Sequence, residues 1–183
     1  GYATHGLFPY RGKFHPQLIK AIMNIIGVKA GDVMLDSMTG SGTTNVEASI
    51  LGIDSIGIEA SPFCCLMAKA KADALKFNPK RLRELAQKPN EIFEHYHREN
   101  RLNLSEYIGR GEGYAFAKDP PFDNFFKLCY LDAMGYARRR KTGSIEELFP
   151  IVLDKYVSAV LNFILIRNQF GLKLGNVAIG EGD

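Results

Sequence analysis

The sequence predicts an α/β domain built on a parallel, doubly wound sheet and interrupted by a large helical insertion. Residues 32 to 75 alternate short apolar runs with helical segments; residues 76 to 170 show helical periodicity and no strand; strand character returns at residues 176 to 179. Residues 1–75 and 171–183 are thus assigned to the α/β region, and 76–170 to the insertion. A chain of 183 residues suits one domain with an appendage, because domains cluster near roughly 100 to 150 residues.

The elements follow in order. After a segment rich in Gly, His, Pro and aromatics, His15-Pro16-Gln17 opens a helix whose apolar stripe is Leu18, Ile19, Ile22, Met23 and Ile26, closed near Gly27. Asp32 to Asp36 reads as a buried strand, Thr43 to Leu51 as a helix stopped by Gly52, and Ser55 to Glu59 as a second strand. Ser61 followed by Pro62 starts a small-residue helix running to about Leu75. In the insertion, helices are expected over Pro79 to Lys88, Asn90 to Arg101, Asp123 to Arg139 and Ser144 to Phe170. The last of these opens with a Ser144/Glu147 capping box, carries Pro150 at a boundary or in its first turns, and has a core stripe of Leu148, Ile151, Val152, Val160, Leu161, Ile164 and Leu165. The final strand, Asn176 to Ile179, leads into a loop Gly180-Glu181-Gly182-Asp183.

Composition excludes little. The net charge of +3 does not establish a nucleic-acid partner, although basic residues cluster at Lys80-Arg81-Arg83 and Arg138-Arg139-Arg140-Lys141. No uninterrupted apolar run approaches the roughly 20 residues that cross a bilayer, so no membrane association is expected. Three cysteines supply neither a disulfide framework nor a metal quartet; they are read as reduced, buried and intracellular, in a cytoplasmic protein. His5 and His15 are expected as hydrogen-bonded loop residues, His95 and His97 as solvated, and no metal site is expected.

The chemistry concentrates in Asp36-Ser37-Met38-Thr39-Gly40-Ser41-Gly42-Thr43-Thr44, which follows a strand and opens a helix, the setting of a ligand loop. Gly40 and Gly42 allow backbone amides to approach a ligand. A phosphate loop needs a Lys before the Thr pair, and none is there. A dinucleotide loop needs a third glycine where Asn45 stands. Glu59, at the end of the next strand, is placed to accept hydrogen bonds from both hydroxyls of a ribose; an acid there is also a common solvated turn residue.

This stretch resembles the Asp-Pro-Phe-x-Gly-Ser-Gly-Thr-Thr loop of DNA methyltransferases that modify exocyclic amino groups, with Ser37 replacing Pro and Met38 replacing Phe. Thr4 to Pro16 resembles the same family's Lys-Phe-x-Pro element, which implies that Lys13 pairs with the cofactor carboxylate and Phe14 packs on its sulfonium side; a hydrophobic staple and helix start is the plainer reading. Gly57 to Pro62 looks like the second strand with its ribose-binding acid, and Gly180 to Asp183 like the loop whose Asp accepts from the adenine amino group. The resemblance implies a Rossmann-like S-adenosylmethionine-dependent methyltransferase fold with a partial sheet. It also implies S-adenosylmethionine as cofactor, bound by Lys13, Phe14, Asp36, Met38, Gly40, Ser41, Gly42, Thr43, Thr44, Glu59, Ala60 and Asp183, and DNA as partner, with RNA as the alternative.

The family transfers methyl groups with Asp-, Asn- or Ser-Pro-Pro-aromatic, a string matched by Asp119-Pro120-Pro121-Phe122. In the family that motif follows a fourth strand, whereas here neither a third nor a fourth strand precedes residue 119, so a Pro-Pro turn between helices competes for it. The chain is therefore expected to be a fragment that binds cofactor and methylates nothing by itself, its catalytic motif lying outside it. Arg138 to Lys141, with Tyr130 and Tyr136 nearby, is a candidate phosphate contact, with a solvated basic face as the bland alternative. A non-catalytic helical nucleic-acid-binding module is the reading from a different class.

Overall fold

Three short strands form the sheet in the computed structural model, which describes residues 2–99, 114–140 and 143–182, the side chains at 99, 139 and 140 excepted. They are β1 (Val33–Asp36), β2 (Asp54–Glu59) and β3 (Val177–Glu181), all parallel, with β2 in the middle. The register sets Leu35 beside Ile56 and Ile56 beside Ala178, and carries on to pair Glu59 with Glu181. Gly180 and Glu181, expected in a loop, thus extend β3, because backbone pairing with Ile58 and Glu59 needs no side-chain signal.

Parallel neighbours need crossovers, and helices supply them. β1 runs through α2 (Thr43–Ile50) to β2, and β2 leads into α3 (Pro62–Ala74), which starts with the Ser61 hydroxyl accepting from the Cys64 amide. These helices cover one face. A Cβ on Gly57 would lie 2.3 Å from Thr39 Oγ1 and 3.0 Å from Asn45 Oδ1, so only glycine lets the turn and α2 pack this closely on β2. On the other face Val33 and Leu35 are each 63% exposed and Ile56 is 45% exposed. The described sheet is therefore wound on one side rather than doubly.

The N-terminal helix α1 (Pro16–Ile26) ends at Gly27, whose φ of 75° lets its amide reach back to the helix carbonyls. Its expected stripe is only partly used. Met23 is buried with Ala48 and Ile53, and Ile19 packs at their edge, while Leu18, Ile22 and Ile26 stay exposed.

The chain divides into two compact units, residues 1–77 with 159–183, and residues 78–158. The second contains α4 (Pro79–Ala86), α5 (Pro89–Glu99), α6 (Pro120–Arg140) and the first part of α7 (Ile145–Gln169). Asn78 caps α4 by accepting from the Lys80 and Arg81 amides, and Ser144 and Glu147 close a reciprocal capping box at 3.1 Å each way. Pro150 sits inside α7, in its second turn, where it removes the N–H bond that would reach the Glu146 carbonyl.

Helix α7 contributes to both units. Phe149, Leu153 and Tyr156 are buried in the helical unit, whereas Phe163 joins Val46 and Leu75 in the α/β unit. Residues 159–170, expected within the insertion, accordingly belong to the α/β unit. The expected stripe is met in part: Val152, Val160 and Ile164 are buried, while Ile151 and Leu165 are 67% and 62% exposed, and Phe149, Leu153, Tyr156 and Phe163 join the buried side. The helix is apolar nearly all round, so periodicity alone does not select its inner side. Among the described residues α7 is also the one helix long and apolar enough to cross a membrane, and 44% of that apolar window is buried inside the protein.

Candidate cofactor-binding site

The turn after β1 is built by its own polar atoms. Asp36 Oδ1 accepts from the Met38 amide at 3.1 Å, the Asp36 carbonyl accepts from Thr39 Oγ1, and the Thr39 amide donates to the Ile58 carbonyl of β2. Gly40 (φ 53°) then donates its amide to Glu59 Oε2 at 2.7 Å, while Glu59 Oε1 accepts from the Ser61 amide at 2.9 Å. The acid at the end of β2 thus braces both the glycine turn and the start of α3. Each carboxylate oxygen keeps a further lone pair.

The two glycines do different work. A Cβ on Gly40 meets nothing closer than the Met38 carbonyl at 3.9 Å, so glycine serves φ there and leaves open space above the turn. A Cβ on Gly42 (φ 79°) would lie 2.9 Å from Ala68 Cα and Cβ, so this glycine admits α3, not a ligand. Gly42 precedes α2, which opens with no side-chain cap, so the partial positive charge of its first turn adjoins the turn. Beside it, Ser41 Oγ is buried with no hydrogen-bond partner among the described residues, as is Thr4 Oγ1.

The segment before α1 lies against the same elements. Its anchor is Glu47 of α2, 1% exposed, which accepts from the Tyr2 hydroxyl and lies 2.6 Å from His5 Nε2. Burial, then the carboxylate, push the Tyr2 phenol well above its usual pKa. Lys13 Nζ donates to the His5 carbonyl at 2.7 Å, and burial lowers its pKa. This anchor was not anticipated from sequence; its one signal is an acid within the small and apolar run Thr43 to Ile50.

Of the other expected cofactor contacts, Thr43 is buried, Thr44 half-buried and Ala60 exposed. Met38 and Phe14 present apolar side chains to solvent, 86% and 65% exposed, which leaves both free to pack on a ligand. Asp183 lies outside the described residues. Donors, an acceptor and two unpartnered hydroxyls are thus carried by the glycine turn, the end of β2 and the segment before α1.

Asp119-Pro120-Pro121-Phe122 opens α6 instead of following a strand: the Asp119 carbonyl accepts from the Asp123 amide, and Phe122 is buried and stacked with Phe126. Tyr130 is buried, with its hydroxyl 3.0 Å from His97 Nδ1. Arg138 is exposed, while Lys141 and the Arg139 and Arg140 side chains lie outside the described residues. His95, expected in solvent, is 7% exposed among the rings of Tyr96, Tyr114 and Phe116. No group of three or more His, Cys, Asp or Glu that could hold a metal occurs among the described residues. Cys64, Cys65 and Cys129 are free and buried, with burial raising the Cys65 and Cys129 thiols.

A family model described as RMKL-like, methyltransferase domain, matches residues 7–108, from the segment before α1 through the glycine turn and Glu59 into the helical unit. The chain belongs to this methyltransferase family. The chain is also similar to named enzymes. The type II methyltransferase M.MjaII of Methanocaldococcus jannaschii is 42% identical over 82 residues, 45% of this chain and 15% of that protein. The type II methyltransferase M.BsoBI of Geobacillus stearothermophilus is 34% identical over 92 residues, 50% of this chain and 18% of that protein. A tRNA (guanine(10)-N2)-dimethyltransferase of Methanothermobacter thermautotrophicus is 38% identical over 52 residues, 28% of this chain and 16% of that protein. The chain thus spans less than a fifth of the length of these relatives. No solved structure matches it.

Proposed function

We propose that this chain is the S-adenosylmethionine-binding part of a DNA methyltransferase that modifies an exocyclic amino group of adenine or cytosine, on a Rossmann-like fold of which the described sheet is one portion. The observation that carries the reading is the Glu59 carboxylate held at the Gly40 amide, an acceptor fixed beside an open glycine turn. Glu59 would receive ribose hydroxyls on its spare lone pairs, Lys13 and the first turn of α2 would face the carboxylate end, and Phe14 and Met38 would cover the sulfur. Asp36, Ser41, Thr43, Thr44, Ala60 and Asp183 complete the proposed contacts.

When bound, S-adenosylmethionine supplies an electrophilic methyl group. The residues of this chain then hold and orient it, since effective transfer depends on placing that group in line with the attacking nitrogen. Asp119 would take no part, because its string starts a helix and its aromatic residue is buried. Transfer would need groups beyond those described here, so the chain by itself would bind cofactor without methylating.

Titration calorimetry with S-adenosylhomocysteine tests the binding. Saturable binding to the wild type, lost in Glu59→Ala, supports the reading; no binding overturns it. The two type II relatives favour DNA, and the tRNA-modifying relative keeps RNA as the second reading. Methyl incorporation into DNA against RNA by the full-length protein separates them.

A further inference from the structure

Lys71, in the last turns of α3, is 1% exposed, and no hydrogen bond or ion pair holds its ammonium among the described residues. A lysine left only 1% exposed is poorly hydrated, and its charge calls for a reason. Its direction follows from helix geometry. Residues 64, 68 and 71 share one face, and helical side chains slope toward the N-terminus, so Lys71 runs back over Ala68 toward Cys64.

That face borders the candidate site. Ala68 is the residue against which Gly42 packs, and Cys64 Sγ lies 3.9 Å from the Tyr10 hydroxyl of the segment before α1. From the same segment the charge of Lys13 reaches Lys71; with burial as the larger cause, it brings the Lys71 pKa down to about 7. The acids nearby are engaged elsewhere, Glu47 by Tyr2 and His5 and Glu59 by Gly40 and Ser61. The elements that meet here carry the amines of Lys13 and Lys71, the buried unpartnered hydroxyls of Ser41 and Thr4, and the positive end of α2. All can donate, a set that suits an anion.

We propose that Lys71 is a ligand-binding residue whose ammonium, with Lys13 and the Ser41 hydroxyl, holds the carboxylate at the amino-acid end of the cofactor. The assignment rests on the cofactor reading above, and it separates the recognition of the two ends: Glu59 serves the nucleoside, Lys71 the carboxylate.

Calorimetry on the chain with two ligands tests it: S-adenosylhomocysteine, which carries the carboxylate, and 5′-methylthioadenosine, which keeps the nucleoside and sulfur but lacks the amino-acid end. Lys71→Met should weaken S-adenosylhomocysteine binding about tenfold or more, the worth of a charge-assisted contact. Binding of 5′-methylthioadenosine should stay within about twofold of wild type. Lys71→Gln, measured alongside with thermal melts of both variants, should show the same split. An unchanged affinity for S-adenosylhomocysteine, or equal weakening of both ligands, overturns the assignment. Failure of the wild type to bind either ligand instead overturns the cofactor reading, and the role of Lys71 with it.

Discussion

Glu59 Oε2 accepts the Gly40 amide at 2.7 Å, tying the end of β2 to the turn that follows β1. Because Oε1 is bonded to the Ser61 amide, both oxygens are engaged as acceptors in the free protein. A glutamine keeps the shape but turns one acceptor into a donor facing an amide. Glu59→Gln should therefore cost about 1–3 kcal/mol of stability and weaken S-adenosylhomocysteine binding at least about tenfold. Denaturant melts and calorimetry measure the two effects; a stable variant with full affinity would remove Glu59 from the site.

The glycines should separate in a paired experiment. Gly42→Ala adds a Cβ 2.9 Å from Ala68 at a φ of 79°, combining backbone strain of about 1–2 kcal/mol with overpacking of about 1–3 kcal/mol. Gly40→Ala meets open space and should lose only the strain, about 1–2 kcal/mol. Thermal melts should rank Gly42→Ala well below Gly40→Ala, and equal losses would contradict the packing described for α3.

Lys71 gives a pH signature. Its folded pKa of about 7 lies below the ordinary lysine value of 10.5, so between those values the unfolded chain binds more protons than the folded one. Stability contributed by this residue should rise with pH across that window by up to about 1.4 kcal/mol per pH unit, with its penalty fully present below it. Lys71→Met should flatten the rise and stabilise the free protein near neutral pH. Denaturant titrations at several pH values read this directly, and a wild-type profile already flat across the window would contradict it.

The open sheet face should govern association. Leu35 and Ile56 are neighbours in register and largely exposed, so Leu35→Lys with Ile56→Thr should change stability by less than about 0.5 kcal/mol per site. Light scattering should show less self-association than wild type, with the affinity for S-adenosylhomocysteine unchanged.

The parts of this architecture written in local patterns were legible in the sequence. The glycine turn between an apolar run and a helix, the Ser61-Pro62 start and the Ser144/Glu147 box depend on neighbours a few residues apart. What escaped depends on distant partners. Lys71 is indistinguishable in Ala68-Lys69-Ala70-Lys71 from Lys69, which is half-exposed, until the fold buries it. Glu47 meets Tyr2 and His5 across more than 40 residues. The inner side of α7 is legible only in part for a related reason: its burial is decided by Phe125, Val46 and Leu75, which belong to other helices and a loop.

The contact between Gly42 and Ala68 also limits how this sequence can drift. A side chain at position 42 cannot be accommodated by trimming position 68, since the clash includes the Ala68 Cα itself. Nor can position 68 grow without meeting the turn. The two sites are locked at their smallest sizes, so relatives that enlarge either must first have moved a whole helix, and a shift in the spacing of α2 and α3 would mark where such a lineage parted from this one.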